Sequence, residues 1–341
     1  KRKKEKVHFF FDEIQTIDGW EYFIDRVLRE EYCQVWLSGS SSKFLSKEIA
    51  TSLRGRTLSW EMFPFSFREY LSYKNLDVKD KISSSLRIKL DNAFGEYFEK
   101  GGFPEVLPFE EEIRAKIHQE YFNSILFRDV VERYDISHPR AARDMAEFLL
   151  ENISSLHSIN RLHGFLKNLG HGVPKASVAD YVRWFEDAFL FFFVKQYSSS
   201  LKVSNSNPKK VYSIDPSFVV STSSSLRINS GHLLENYVML SLRRISEEIF
   251  YYKTKDGKEI DFYIPRKGKK AALVQVCASL KEESTLKREI AALTKGMEET
   301  KNSRSLIISF DEEGKVGGEG KIISIMPAWK FFLDPSAALV Q

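Results

Sequence analysis

The chain has 341 residues, 43% of them hydrophobic and 27 of them Phe, and a formal net charge of +4. Length and apolar content exclude a disordered chain and predict two or three domains with real cores, while so mild a basic excess permits nucleic-acid contact without arguing for it. Cys33 and Cys277 lie far apart without metal-ligand spacing, which excludes a disulfide framework or a cysteine zinc site.

The longest apolar run, AFLFFFV at 188–194, is too short for a membrane span, and no secretory signal precedes it. Reduced thiols and the lack of a span predict a cytoplasmic protein with no membrane partner. The chain starts at Lys1 rather than Met, a few residues before a core strand, so it reads as a longer protein lacking its N-terminal part.

In chain order, VHFFFDEIQ at 7–15 predicts a buried strand that ends in Asp12 and Glu13. Residues 17–31 place Trp20, Phe23, Ile24, Val27 and Leu28 at helical spacing. QVWLSGS at 34–40 is a second buried strand, residues 41–56 a serine-capped helix, and TLSWEMFPF at 57–65 a third strand stopped by Pro64. This β-α-β-α-β alternation predicts a parallel sheet with ligands at its strand C-termini, where Asp12, Glu13 and Ser38–Ser42 fall. Residues 66–134 read as helical, interrupted by GGFPEV at 101–106, which is a turn rather than a ligand loop.

Residues 140–195 read as three helices, and the KQYSSSLK that follows suggests a β-wing, the outline of a winged helix-turn-helix. Helix 231–249, strands at 250–254, 259–264 and 272–277, helix 282–299 and strands at 304–309 and 322–326 form a last α/β unit. The expected domains are 1–70, 71–139, 140–205 and 206–341. The seven histidines have no paired metal spacing and read as packing or surface residues.

Asp12 and Glu13 at a strand tip have the form of a Walker B element, in which the first acid holds the magnesium shell and the second polarises the attacking water. Its usual companion, the phosphate loop G-x-x-x-x-G-K-[ST], occurs nowhere in the 341 residues.

FFDEIQ, WLSGSSSKFLSKEIATSLRGR, FPFSFREYL, GGFPEVL and LFRDVVERY, in this order, resemble one family: prokaryotic AAA+-superfamily ATPases with a C-terminal domain of unknown function. NPKKVYSIDPSF at 207–218, HLLENYVMLSLRR at 232–244 and GKEIDFYI at 257–264 extend the resemblance over nearly the whole chain. It implies a partial P-loop AAA+ parallel sheet with a helical lid, a winged helix, and a C-terminal α/β domain resembling the PD-(D/E)xK (restriction-endonuclease-like) fold. It further implies Mg-ATP as ligand, Asp12 as the Mg²⁺-associated acid and Glu13 as general base in the intact protein. Without the phosphate loop the chain alone is expected to bind ATP weakly or not at all.

In AAA+ cores the strand beside the Walker B supplies a side chain that orients the lytic water; Ser40 takes that place, with Ser38 next in line. The plain alternative for Ser40 is a helix cap. Arg54 and Arg56 in LRGRT end a helix where an Arg of a homo-oligomer reaches a neighbour's γ-phosphate, or else they simply complement the helix dipole.

A PD-(D/E)xK nuclease needs an acid on its first helix, an Asp at a strand end and an E-x-K on the next strand. Glu235 and Asp261 fill the first two places, but the third reads Gln275-Val276-Cys277. Gln275 is a weak neutral ligand and Cys277 is no ammonium, so the expectation is a fold kept without hydrolysis unless Glu259, Lys253 or Lys281 takes over a role. In the winged helix, Val178, Tyr181, Val182 and Phe185 read as a core face, and Lys202, Lys209 and Lys210 are candidates for phosphate contact. The alternatives to the ATPase are a DNA-binding or protein-docking adaptor and, third, a metal-dependent nuclease using Glu235 and Asp261.

Overall fold

Helix α1 (Trp20–Glu30) connects two parallel strands, β1 (Val7–Phe11) and β2 (Cys33–Leu37), which run in register from Val7 opposite Cys33 to Phe11 opposite Leu37. In the computed structural model, the described residues are 6–40, 56–76, 78, 82–222, 229–302, 304–318 and 320–339. Trp20 and Ile24 on α1 bury against Ile14, with Phe11, Val35 and Leu37 packed around them. The expected burial of β1 holds for one face only. Side chains alternate along a strand, so Phe11 meets α1 while Phe10, 74% exposed, stacks on Trp36 on the other face.

The expected third strand does not form: residues 57–65 have no ladder partner among the described residues. They instead strap across the rest of the molecule, with Phe63 and Phe65 packed on the main core. Glu61 accepts from Arg243 Nε at 2.8 Å, and the Phe65 amide donates to the Gly102 carbonyl at 2.6 Å. Side-chain and loop partners here replace a sheet neighbour. The expected helix at 41–56 and Arg54 lie outside the described residues, except for Arg56, which is exposed.

Helix α2 (Phe67–Tyr73) opens on a capping box between Ser66 and Glu69. α3 (Ser84–Lys100) and α4 (Glu111–Ser124) follow, and α4 runs directly into a π-helical stretch, Ile125–Glu132. Next come α5 (Pro139–Glu151), β3 (Leu156–His157), α6 (Ile159–Asn168), α7 (Lys175–Asp187), β4 (Phe191–Gln196), α8 (Leu201–Ser206) and β5 (Lys209–Ser213). The face of α7 that carries Val178, Tyr181, Val182 and Phe185 is buried, as its spacing requires.

Beyond α9 (Ser217–Thr222) lie α10 (Ser230–Arg243), β6 (Phe250–Lys253), β7 (Glu259–Arg266), β8 (Lys269–Val276), α11 (Glu283–Glu299), β9 (Arg304–Ser309), β10 (Gly314–Gly318), β11 (Lys321–Pro327) and α12 (Ala328–Leu333). The described strands after β2 form one mixed sheet in the order β10-β11-β9-β8-β7-β6-β4-β5-β3. β4 is the splice: it pairs antiparallel with β5, and its last residues, Lys195 and Gln196, pair parallel with Phe250 and Tyr251 of β6. Residues on both sides of position 205 therefore share a sheet, and one core runs from Phe67 to Ala338.

GGFPEV is a joint within this core. Gly101 has φ +80°, and a Cβ there would lie 2.5 Å from Ser217 Oγ. The Gly102 amide donates to the buried Asp215 carboxylate at 2.7 Å, and that carboxylate also accepts from the Ser217 amide at 2.9 Å. A Cβ on Gly102 would fall 2.6 Å from the Phe65 carbonyl oxygen, a backbone atom with no rotamer to escape into. Gly102→Ala is expected to lower unfolding free energy by about 1–3 kcal/mol. Gly95→Ala, on the exposed face of α3 with nothing within 4 Å, should raise it by about 1 kcal/mol. Urea unfolding of the two variants side by side checks both signs.

Candidate functional site

Because β1 and β2 are parallel and in register, their C-terminal ends bring Asp12, Glu13, Ser38 and Ser40 together. The Ser38 hydroxyl donates to Asp12 Oδ1, and Ser40 Oγ lies 3.2 Å from Glu13 Oε2. Glu13 itself has φ +48° and ψ +38°. A non-glycine residue in that left-handed region costs roughly 1–3 kcal/mol, a kind of strain that clusters at functional sites.

Two residues that the sequence reading passed over close this tip. Ser40 Oγ lies 2.9 Å from Asp129 Oδ1 and accepts from Arg133 Nη2 at 2.7 Å, while Arg133 and Asp129 form an ion pair one helical turn apart. Both come from LFRDVVERY. Asp129 sits in the π-helical stretch, a local geometry frequent at functional sites. The i,i+4 spacing of an acid and a base was visible in the sequence; their convergence on Ser40, 89 and 93 residues away, was not. Ser40 has a single hydroxyl proton, so it can donate to Glu13 or to Asp129 but not to both at once.

A second polar constellation lies in the large sheet. Residues two apart on a strand share a face, so β5 directs Lys210 and Tyr212 together at α10, and β7 directs Glu259 and Asp261 together. Lys210, 2% exposed, places Nζ 2.7 Å from Asp261 Oδ1, 2.8 Å from Glu259 Oε1 and 3.1 Å from Glu235 Oε1. Tyr212 donates to the same Glu235 oxygen at 2.7 Å. The Asp261 amide donates to Gln275 Oε1 at 3.3 Å, and Asp261 Oδ2 accepts from the Val276 amide at 2.8 Å.

Glu235, Asp261 and Gln275 are thus brought together, and Glu259 joins them. Lys281, by contrast, is exposed and 3.9 Å from Asp311, and Lys253 is exposed at the end of β6. Phosphate contact by Lys210 is corrected: its ammonium is buried among carboxylates. Lys209 is partly buried, with Nζ 5.9 Å from the centre of the Phe193 ring. The overlooked signal was a lysine inside a strand whose next residues are apolar, since such residues are almost never fully buried unless paired.

Burial alone would lower the Lys210 pKa, but Asp261, Glu235 and Glu259 outweigh it and hold the ammonium well above the usual range. Burial, followed by repulsion from Asp261, pushes Glu235 up to about 8 against the opposing pull of Lys210 and Tyr212. Burial and then Lys210 keep His232, one turn before Glu235, below its ordinary value. The donor set does not fit a divalent ion as it stands, because an ammonium already occupies the point on which the carboxylates converge.

Residues 1–71 match the AAA domain, 91–229 a domain of unknown function (DUF8612) and 230–331 another (DUF4143). An uncharacterized protein of Methanocaldococcus jannaschii is 36% identical over 97% of this chain and 75% of its own length. The chain belongs to the family of that protein. An uncharacterized protein of Haemophilus influenzae is 28% identical over 82% of the chain and 68% of its own length. The N-terminal tip therefore lies in an AAA-type, ATPase-like region. The Lys210 cluster joins the two regions of unknown function, the lysine coming from one and the acids from the other. No helix among the described residues is long and apolar enough to cross a membrane.

The raised Glu235 pKa sets a pH dependence. A carboxyl that holds its proton more tightly when folded contributes most stability below its unfolded value near 4.5 and loses it as pH rises through about 8. Glu235→Gln should remove this dependence, so the unfolding free energy of the native protein relative to the variant should fall from pH 5 to pH 8. Denaturant unfolding at both pH values tests it.

Proposed function

We propose that the chain carries the hydrolytic half of an AAA-type Mg-ATP site. The observation that carries this reading is the convergence of Asp12, Glu13, Ser38 and Ser40 at adjacent parallel strand ends. Carboxylate and hydroxyl oxygens suit the hydrated shell of Mg²⁺, which Asp12 would hold. Glu13 would accept the proton of the attacking water, and Ser40 would orient that water or the γ-phosphate. The β- and γ-phosphates would need a cradle of backbone N–H groups and a lysine, and these 341 residues contain no such loop. Arg54 or Arg56 would complete a neighbouring subunit's site in a homo-oligomer.

Ser40, Asp129 and Arg133 would carry nucleotide state into the helical region. Support comes from the single Ser40 proton and from Arg133 Nη1, which is buried with no hydrogen-bond partner among the described residues. The order α5-β3-α6-α7-β4-α8-β5, with β5 between β3 and β4 in antiparallel pairing, supports a winged-helix reading in which β4 and β5 make the wing and its strands extend beyond 205; KQYSSSLK, expected as the wing, instead leads from β4 into α8. Arg183 on α7 is paired with Asp180 at 3.0 Å and Lys210 is buried, which favours a protein partner over DNA phosphates for that module.

For the C-terminal region we propose a nuclease-like arrangement without hydrolysis, supported by Gln275 and Cys277 in the E-x-K places and by the Lys210 ammonium lodged between Glu235 and Asp261.

In the protein expressed from its full reading frame, Glu13→Gln should lower ATP turnover by about 10²–10⁴-fold, the usual worth of a general base, with Mg-ATP binding retained. Asp12→Asn should lower both turnover and Mg²⁺ dependence. Turnover unchanged in both variants would overturn the ATPase reading. Separately, DNA nicking that requires Mg²⁺ and disappears in Asp261→Ala would overturn the non-hydrolytic reading.

A further inference from the structure

Three carboxylates from two elements, α10 and β7, point at one atom. Lys210 Nζ donates to Asp261 Oδ1 at 2.7 Å and to Glu235 Oε1 at 3.1 Å, and Glu259 Oε1 forms an ion pair with it at 2.8 Å. Two of the three N–H donors of the ammonium are thus placed in hydrogen bonds, and a third acid faces the same atom. Hard oxygen donors gathered around one positive centre are also the pattern by which a protein holds Mg²⁺, Mn²⁺ or Ca²⁺. A second cation could enter only against the ammonium a few ångströms away, in a region where charges are poorly screened.

We propose that Lys210 is the resident cation of this cluster: its ammonium takes the position of a divalent metal ion, and its removal converts the cluster into a site for a hard divalent cation. A metal ion held by α10 and β7 would tie together only the region after residue 229. Lysine on β5 adds the preceding region to the same bond set, and unlike an ion it cannot dissociate. Tyr212 holds the Glu235 carboxyl from the same strand and the Val276 amide holds the Asp261 carboxylate from β8, so these two acids keep partners of their own when the ammonium is gone. Lys210→Ala also removes the lysine stem from this buried position.

The test is Mn²⁺ binding by the 341-residue chain, followed by calorimetric titration and by thermal unfolding in EDTA or in millimolar MnCl₂. The readout is binding rather than turnover, so it is independent of the ATPase and of DNA cleavage. The native chain should give no heat and no shift in Tm that D261N removes. K210A should unfold at lower temperature in EDTA and regain several degrees in MnCl₂, and K210A/D261N should lose that gain. Mn²⁺ binding by the native chain that is abolished in D261N would overturn the proposal, as would a folded K210A, verified by circular dichroism, that ignores Mn²⁺. Should K210A not fold in EDTA, refolding in MnCl₂ decides: recovery supports the proposal. Failure to recover overturns it.

Discussion

A buried ammonium has to be compensated where it lies. Lys210 is almost wholly removed from water, and in that setting an uncompensated charge is costly enough that the group would give up its proton instead. The three acids that prevent this come from α10 and β7, 25–51 residues further along the chain. Their convergence constrains the register of β5, the rotation of α10 and the position of β7 together. Breaking such a set by removing one partner is strongly destabilising, although its net worth against an apolar packing is small. Few alternative packings would satisfy the lysine and its three acids together.

The same part of the molecule carries the sheet splice. β4 pairs with β5 on one side and, through its last two residues, with β6 on the other, so the strands after β2 form one sheet although the two family matches meet at residues 229 and 230. GGFPEV and the Asp215 turn lock the helical region onto that sheet through a buried carboxylate. The N-terminal tip meets the helical region through packed polar contacts: Glu13 with Ser40, and Ser40 with the Asp129–Arg133 pair, which lies at the π-helical stretch continuous with α4. On the proposed reading, this chain of contacts is where nucleotide state would be passed to the remainder of the protein.

Local patterns were legible where one periodicity dominated. α1, α11 and the strands from β6 to β9 lie where their apolar spacing puts them, within a few residues at their ends; α7 and α10 stop short of the expected helices, at Asp187 and Arg243, and the apolar run read as the end of the former is strand β4, whose residues Phe191–Val194 are all buried. The segment 57–65 misled because its apolar run is real but serves a strap. Phe63 and Phe65 pack on the core, while the backbone takes its partner from Gly102 instead of from a strand. β1 misled in a milder way: four apolar or aromatic residues in five suggested burial on both faces, and only the face toward α1 is covered among the described residues.

The sequence by itself determined the carboxylate pair at a strand tip, the missing phosphate loop, and the places of Glu235, Asp261 and Gln275, because each is carried by a short run of residues with a defined spacing. Tertiary structure alone decided that Ser40 meets Asp129 and Arg133, that Gly102 meets Asp215, and that Lys210 stands at the centre of the acids. Those pairings span 89 to 113 residues in the first two cases and 25 to 51 in the third. Periodicity reports which face of an element is buried; which charge waits on the facing element depends on how the sheet is ordered, and that order follows from the packing of the whole core.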